Sequence, residues 1–216
     1  MKFHKALFAV TVAAAALAGC NRQGDLVIEE GVGITALRGV CPAVGVPDYT
    51  GNVTLFSPAT ARTLDALDVT AAITNVRSQC DDSAAEVYTT ATFDVLAQRR
   101  DTRGARTITL PYFSTVIRGG NAVIAKRLGT VTIDFADGEE RARGSGTAGA
   151  LVDRAAATLP ADIRERITRR RRSGEQEAAV DPLTDPEVRA ALARASFELL
   201  IGFQLSEDQL AYNATR

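Results

Sequence analysis

The segment EVYTTATFDVL, residues 86–96, alternates between two kinds of side chain. Because successive side chains of a β-strand point to opposite faces, a period of two predicts a strand with one buried and one wetted face. The predicted buried face carries Val87, Thr89, Ala91, Phe93 and Val95, and the predicted outer face carries Glu86, Tyr88, Thr90, Thr92 and Asp94.

Further strands are predicted on both sides of this segment. The same alternation runs through Asp68–Val76, and Gly119-Gly120-Asn121 and Asp137-Gly138 predict tight turns between strands. Pro111 predicts an edge position or a bulge, because proline cannot donate to a ladder. The other strand candidates are Val53–Phe56, Arg106–Arg118, Ala122–Phe135, Glu140–Arg143 and the dense apolar run Phe197–Leu205.

Residues 144–194 break this rhythm, and three stretches there have helical composition: Leu151–Leu159, Asp162–Arg172 and Pro186–Ala195. Asp185 before Pro186 is typical of a helix start, and Ser206 with Gln209 forms a capping box that predicts a short C-terminal helix. The predicted fold class is therefore mainly β: an antiparallel immunoglobulin-like sandwich, with a helical insertion at about 147–194 before the last strand.

The N-terminus has the pattern of an export signal. Positive residues at Met1–Lys5 precede an apolar run, Ala6–Ala18, which is too short for the ~30 Å core of a bilayer. Leu17-Ala18-Gly19-Cys20 resembles the lipobox of bacterial lipoproteins, in which the cysteine thiol receives a diacylglycerol. The resemblance implies a signal peptide at 1–19, lipid on Cys20, a tether at 20–39 and one domain at 40–216.

The residue after the lipobox bears on localisation. In lipoproteins of this kind an Asp at that position favours the inner membrane, and this sequence has Asn21. The resemblance therefore implies outer-membrane sorting with the domain facing the periplasm, and inner-membrane retention is the less favoured alternative.

Cys41 and Cys80 remain after Cys20 is assigned to lipid. In an oxidising compartment two remaining cysteines are expected to form a structural disulfide. The alternative is a redox-active pair, but their spacing differs from the Cys-x-x-Cys of catalytic dithiols.

The composition disfavours several classes of function. The single histidine, His4, and the single methionine, Met1, both lie in the predicted signal peptide, so we expect no histidine-based catalysis, no metal site and no cofactor. The mature chain would carry 23 Lys and Arg against 26 Asp and Glu, because Lys2 and Lys5 are removed. A net charge near zero disfavours nucleic acid as a partner.

Six arginines form the strongest charge feature of the sequence: Arg164, Arg166, Arg169, Arg170, Arg171 and Arg172. On a predicted helix they are candidate contacts for an anionic lipid or glycan. The alternative is a solvated helix face, offset by Asp162, Glu165, Glu175 and Glu177.

Two further patterns in the sequence resemble known sites. Gly144-Ser145-Gly146-Thr147-Ala148-Gly149 matches the dinucleotide fingerprint, but that site needs a βαβ unit and no parallel strand is predicted after it, so we expect a flexible connection. The adjacent pairs Asp81-Asp82 and Glu139-Glu140 leave a carboxylate-type hydrolase as an alternative, although both lie on predicted turns where pKa values stay ordinary.

Leu110-Pro111-Tyr112-Phe113, Ala125-Lys126-Arg127 and Gly202-Phe203-Gln204-Leu205, together with Gln209–Asn213, resemble an uncharacterised group of envelope lipoproteins from sphingomonad-like alphaproteobacteria. The resemblance implies an envelope location and one domain, and it supplies no catalytic residue. The predicted function is a non-enzymatic, lipid-anchored module that binds or scaffolds an envelope component. Its partner would be an unknown envelope protein or an anionic lipid or glycan.

Overall fold

The computed structural model describes residues 39–169 and 181–215, which form two packed β-sheets. All neighbouring strands are antiparallel except β1 and β8, which are parallel. Sheet I has the order β1 (Ala43–Gly45), β8 (Phe197–Phe203), β5 (Arg106–Arg118) and β6 (Ala122–Phe135). Sheet II has the order β2 (Asn52–Phe56), β3 (Leu67–Asp81), β4 (Glu86–Arg99) and β7 (Arg141–Asp153).

The alternation in the sequence places the main core between the sheets. Residues Val87, Ala91, Phe93 and Val95 of β4 are buried, as predicted, and β8 contributes Leu199, Ile201 and Phe203 from the opposite sheet. Burial of this apolar surface is the main favourable term in folding. The predicted mainly β sandwich, with helices before the last strand and a short helix after it, is confirmed.

The helices occupy the predicted part of the chain: α1 (Arg154–Ala157), α2 (Ala161–Thr168), α3 (Pro186–Ala195) and α4 (Glu207–Thr215). The Asp185 carboxylate accepts the backbone N–H of Glu187 at 2.8 Å at the start of α3. Before α4, the Ser206 N–H donates to the Gln209 side chain at 2.9 Å, and the Gln209 N–H donates to the Ser206 hydroxyl at 3.3 Å. Both predicted caps are confirmed. Helices α2 and α3 share a second, smaller core: Leu159, Ile163, Ile167, Val188, Ala191 and Leu192.

The prediction was wrong at residues 144–149. They lie within β7, which pairs with β4 without interruption, so the helical stretch begins at Arg154 and not near residue 147. The glycines are needed for close approach: a Cβ on Gly146 would lie 2.2 Å from the Phe93 ring, and one on Gly144 would lie 2.6 Å from the Thr132 carbonyl oxygen. The fingerprint-like glycines therefore pack β7 against its neighbours.

The expected irregularity at Pro111 lies elsewhere. Pro111 is opposite Thr130 in a regular stretch of the β5–β6 ladder, and the bulge lies between Val116 and Ile117. β5 is an inner strand, but its pairing with β8 covers only Tyr112–Arg118, and the Gln204 N–H still donates to the Pro111 carbonyl at 2.9 Å. Proline is tolerated here because it lies just beyond the paired stretch of β8.

The sandwich has two ends, which we name from where the described chain begins. At the proximal end, β1, β6 and β8 begin and β5 ends, since β8 is parallel to β1 and antiparallel to β5. At the distal end, the connection between β4 and β5 crosses from sheet II to sheet I, and the connection between β6 and β7 crosses back.

The Arg99 side chain joins these two distal connections. It is 1% exposed, and its guanidinium donates to four backbone carbonyls: those of Thr102, Gly104, Ala136 and Glu139, each at 2.8 Å. The guanidinium also lies 5.1 Å from the centre of the Phe135 ring. Hydrogen bonds from a charged donor are stronger than neutral ones, so one side chain fixes both connections.

We expect Arg99→Met to lower the free energy of unfolding by roughly 3 kcal/mol, because four backbone carbonyls lose the charged donor that they share. Urea denaturation followed by circular dichroism measures this change. The matched control is Arg103→Met, since Arg103 lies on the same connection but its side chain is 89% exposed. Equal stability of the two variants would contradict the role given to Arg99.

Candidate functional site

The disulfide between Cys41 and Cys80 lies at the proximal end and confirms the predicted pairing. The Cα atoms are 6.1 Å apart, and both cysteines are exposed. The bond joins the chain just before β1, in sheet I, to the end of β3, in sheet II. It therefore links the chain that leads into β1 to the end of β3. Cys20, the predicted signal peptide and the predicted tether up to residue 38 lie outside the described residues.

Removing the disulfide with Cys41→Ser and Cys80→Ser should destabilise the domain by about 4 kcal/mol, since the bond closes a loop of 39 residues' separation. Urea denaturation of the double variant, compared with the oxidised and the reduced parent chain, measures the loss. The reduced parent should match the double variant. A parent chain whose stability is unchanged by reduction would contradict this prediction.

The Arg-rich stretch has an internal partner at its centre. The Arg166 guanidinium forms an ion pair with Glu187 at 3.0 Å and another with Asp185. The pKa of Arg166 is raised, chiefly by its hydrogen bond to Glu187. The pKa of Asp185 is lowered, first by the backbone N–H of Glu187 and then by Arg166. Arg166 thus links α2 to the start of α3.

The remaining arginines of this stretch divide into two groups. Arg164 and Arg169 are exposed, and Arg164 also makes a long hydrogen bond of 3.4 Å to the Leu159 carbonyl. Arg170, Arg171 and Arg172 lie outside the described residues. The structure therefore describes three of the six predicted contact residues, and one of these three is engaged by acidic side chains of α3 and its cap.

The two carboxylate pairs lie far apart. Asp81 and Asp82 are at the proximal end, where the Ser83 hydroxyl and N–H donate to Asp81 at 2.7 and 3.0 Å and lower its pKa. Glu139 and Glu140 are in the distal turn between β6 and β7, where Gln98 donates to Glu140. Asp81 is opposite Tyr88 of β4, and Arg141, next to Glu140, is opposite Gln98. About ten residues of β4 therefore separate the pairs, roughly 35 Å at 3.3 Å per residue. They do not flank a common site.

A cavity of about 270 Å³ lies at the proximal end, between β1 and β8 on one side and α1 and α3 on the other. Among the described residues that line it, most are small or apolar, and the charged one is Glu198, which is half-buried. Across residues 39–169 and 181–215, no three His, Cys, Asp or Glu side chains gather as a metal site would require. In the same residues, no helix has the length and apolar character needed to cross a membrane.

The first half of β6 forms a surface that sequence reasoning missed. Val123, Ile124 and Leu128 are 64%, 56% and 68% exposed, and Lys126 and Arg127 are exposed beside them. Among the strands that the structure describes, β6 is at the edge of sheet I and has a hydrogen-bonded neighbour on one side only. We call residues 122–128 the β6 edge segment. Its only sequence signal is that AVIAKRL lacks the alternation of the other strands.

No family model matches this chain, and comparisons with curated proteins and with solved structures give no match either.

Proposed function

We propose that this chain is a lipid-anchored envelope lipoprotein whose domain faces the periplasm and binds or scaffolds another envelope component. The observation that carries the proposal is the distribution of its cysteines. The sequence contains three, of which Cys41 and Cys80 form the disulfide, and the third is Cys20 in the lipobox-like Leu17-Ala18-Gly19-Cys20. A disulfide is typical of an exported protein, and a single further cysteine at this position suits lipid attachment.

The position of the disulfide supports the same proposal. A lipid on Cys20 would hold the domain through residues 21–38, and the described part of the chain begins at Gly39, two residues before Cys41. A domain attached in this way benefits from a covalent link between its first residues and both sheets. Two or three acyl chains bind a membrane essentially permanently, whereas one chain binds reversibly.

A binding or scaffolding role rests on the exposed apolar surface of the domain. Large apolar side chains are exposed on β6, and others are exposed on the outer face of sheet II: Tyr88, Leu96 and Leu151. Exposed apolar patches on soluble domains are typical of surfaces that contact a partner or a membrane. The ion pairs of Arg166 favour a structural role for that residue, so the Arg-rich helix is a weaker candidate for this surface.

The anchor is tested by Cys20→Ser in the full-length chain, expressed in a Gram-negative host supplied with labelled palmitate. We expect the parent chain to be labelled and to fractionate with membranes, because its thiol and new amine are acylated. The variant should lose the label and retain the signal peptide. Mass spectrometry of the N-terminal peptide measures both changes.

The matched control is the double variant Cys41→Ser and Cys80→Ser, which should keep the label because neither cysteine lies in the lipobox-like segment. In the same host, Asn21→Asp should move the labelled chain to the inner-membrane fraction of a sucrose gradient. Unchanged labelling and processing of the Cys20→Ser chain would refute the proposal.

A further inference from the structure

We propose that the β6 edge segment, residues 122–128, is a membrane-contact surface that docks on anionic phospholipid beside the lipid anchor. This inference rests on the proposed function, because it uses the position of an anchor at Cys20. It specifies which part of the domain contacts the bilayer and which class of lipid that part binds.

The β6 edge segment exposes apolar side chains although it belongs to a paired strand. Val123 and Leu128 are paired with residues of β5, and Ile124 lies in the bulge of this ladder, yet more than half of each residue is exposed to solvent. The bulge opposite Val116 and Ile117 gives β6 an extra residue at Ile124. Apolar side chains held on a rigid hairpin lose little conformational entropy on entering the interfacial region of a bilayer.

The β6 edge segment is also positively charged. The β6 edge segment contains Lys126 and Arg127 and no acidic residue. Lys126 also lies across the Phe113 ring, with its Nζ atom 5.3 Å from the ring centre. Exposed cations beside exposed apolar side chains are the combination that binds an anionic leaflet, since each cation near the surface adds attraction and each apolar group adds burial.

The β6 edge segment lies at the same end of the sandwich as the start of β1. β1 and β6 both begin at the proximal end, because β8 is parallel to β1, β5 is antiparallel to β8, and β6 is antiparallel to β5. The described part of the chain begins there with Gly39–Cys41, and β1, which follows, is three strand spacings from β6, or about 14 Å.

The anchor also limits how far the domain can move from the bilayer. Cys20 is 19 positions before Gly39, so even a fully extended chain reaches only about 65 Å. Confinement near the surface raises the effective concentration of lipid around the β6 edge segment, so a weak contact suffices for docking.

The rest of the proximal end sets the tilt of the domain. Sheet II carries Asp81, Asp82 and Glu86 at this end, and an anionic leaflet would repel them. On the side of sheet I, β5 carries Arg118 and α3 carries Arg194, and the Arg118 Nε donates to the Arg194 carbonyl. Glu198, at the start of β8, is half-buried. Docking through the β6 edge segment turns sheet I toward the bilayer and sheet II away from it.

The experiment uses the mature chain, residues 20–216, carrying Cys20→Ser so that no acyl chain contributes to binding. It is mixed with phosphatidylcholine vesicles, with or without phosphatidylglycerol, and the bound fraction is measured by sedimentation. We expect binding only with phosphatidylglycerol, and less of it as salt is raised.

Two variants of the β6 edge segment test the two contributions. Lys126→Gln with Arg127→Gln should weaken vesicle binding about 25-fold, since each cation contributes about fivefold. Ile124→Thr with Leu128→Thr should weaken it about tenfold and keeps residues that suit a strand. Because these side chains are exposed, thermal unfolding should be unchanged, which separates lost docking from lost folding.

Two matched controls should bind as the parent does. Leu96→Thr with Leu151→Thr removes two comparably exposed apolar side chains from sheet II. Replacing Arg169–Arg172 by Gln removes four cations from the Arg-rich stretch. Hydrogen exchange of residues 119–128 should slow on binding to phosphatidylglycerol vesicles.

Three results would overturn the proposal. The first is vesicle binding that both β6 variants leave unchanged, and the second is binding that is lost instead in the Arg169–Arg172 variant. The third is hydrogen exchange at residues 119–128 that slows with protein concentration in the absence of vesicles. The last would identify a second copy of the chain as the occupant. The chain used with the vesicles carries no acyl chain, so a lack of vesicle binding would not contradict acylation at Cys20. A lack of palmitate labelling would likewise not contradict vesicle binding by the β6 edge segment.

Discussion

The buried guanidinium of Arg99 is the interaction on which the closure of the sandwich depends. Four carbonyls surround it, two from the connection between β4 and β5 and two from the connection between β6 and β7. These are the two distal points where the chain passes from one sheet to the other, so a single cation holds both crossings. At the proximal end the Cys41–Cys80 disulfide has the same effect by a covalent bond. The apolar core packs the sheets face to face, and these two links fix their ends.

The sequence predicted what depends on local pattern. The alternation in residues 86–96, the cap at Asp185 and the capping box at Ser206 each need only a few neighbouring residues, and all three are confirmed. The strand at 144–149 was missed because glycine has no side chain and gives no periodic signal. Its glycines are explained by Phe93 and by the backbone of β6, both distant in sequence. Arg99 was missed for a related reason, since a buried arginine in a polar stretch looks like a turn residue until its carbonyl partners are located.

The candidate functional residues show the same limit. The density of arginines at 164–172 suggested a binding surface, but the partners of Arg166 are 19 and 21 residues away and belong to the start of α3. The β6 edge segment has only two cations, and its sequence is unremarkable until the topology makes it an edge strand at the end where the chain joins the domain. The disulfide was predicted because the sequence leaves only two cysteines after Cys20.

The disulfide also determines how the domain responds to mechanical force. β1 is three residues long and, among the described strands, pairs with β8 alone, so a pull on the preceding chain would by itself peel this strand from the edge of sheet I. Cys41 precedes β1, and its bond passes the load to Cys80 in the fifteen-residue strand β3, which lies inside sheet II. Tension from the N-terminal side therefore acts along β3 and is resisted by the hydrogen bonds between β3 and its neighbours in sheet II. The short edge strand β1 carries little of this force.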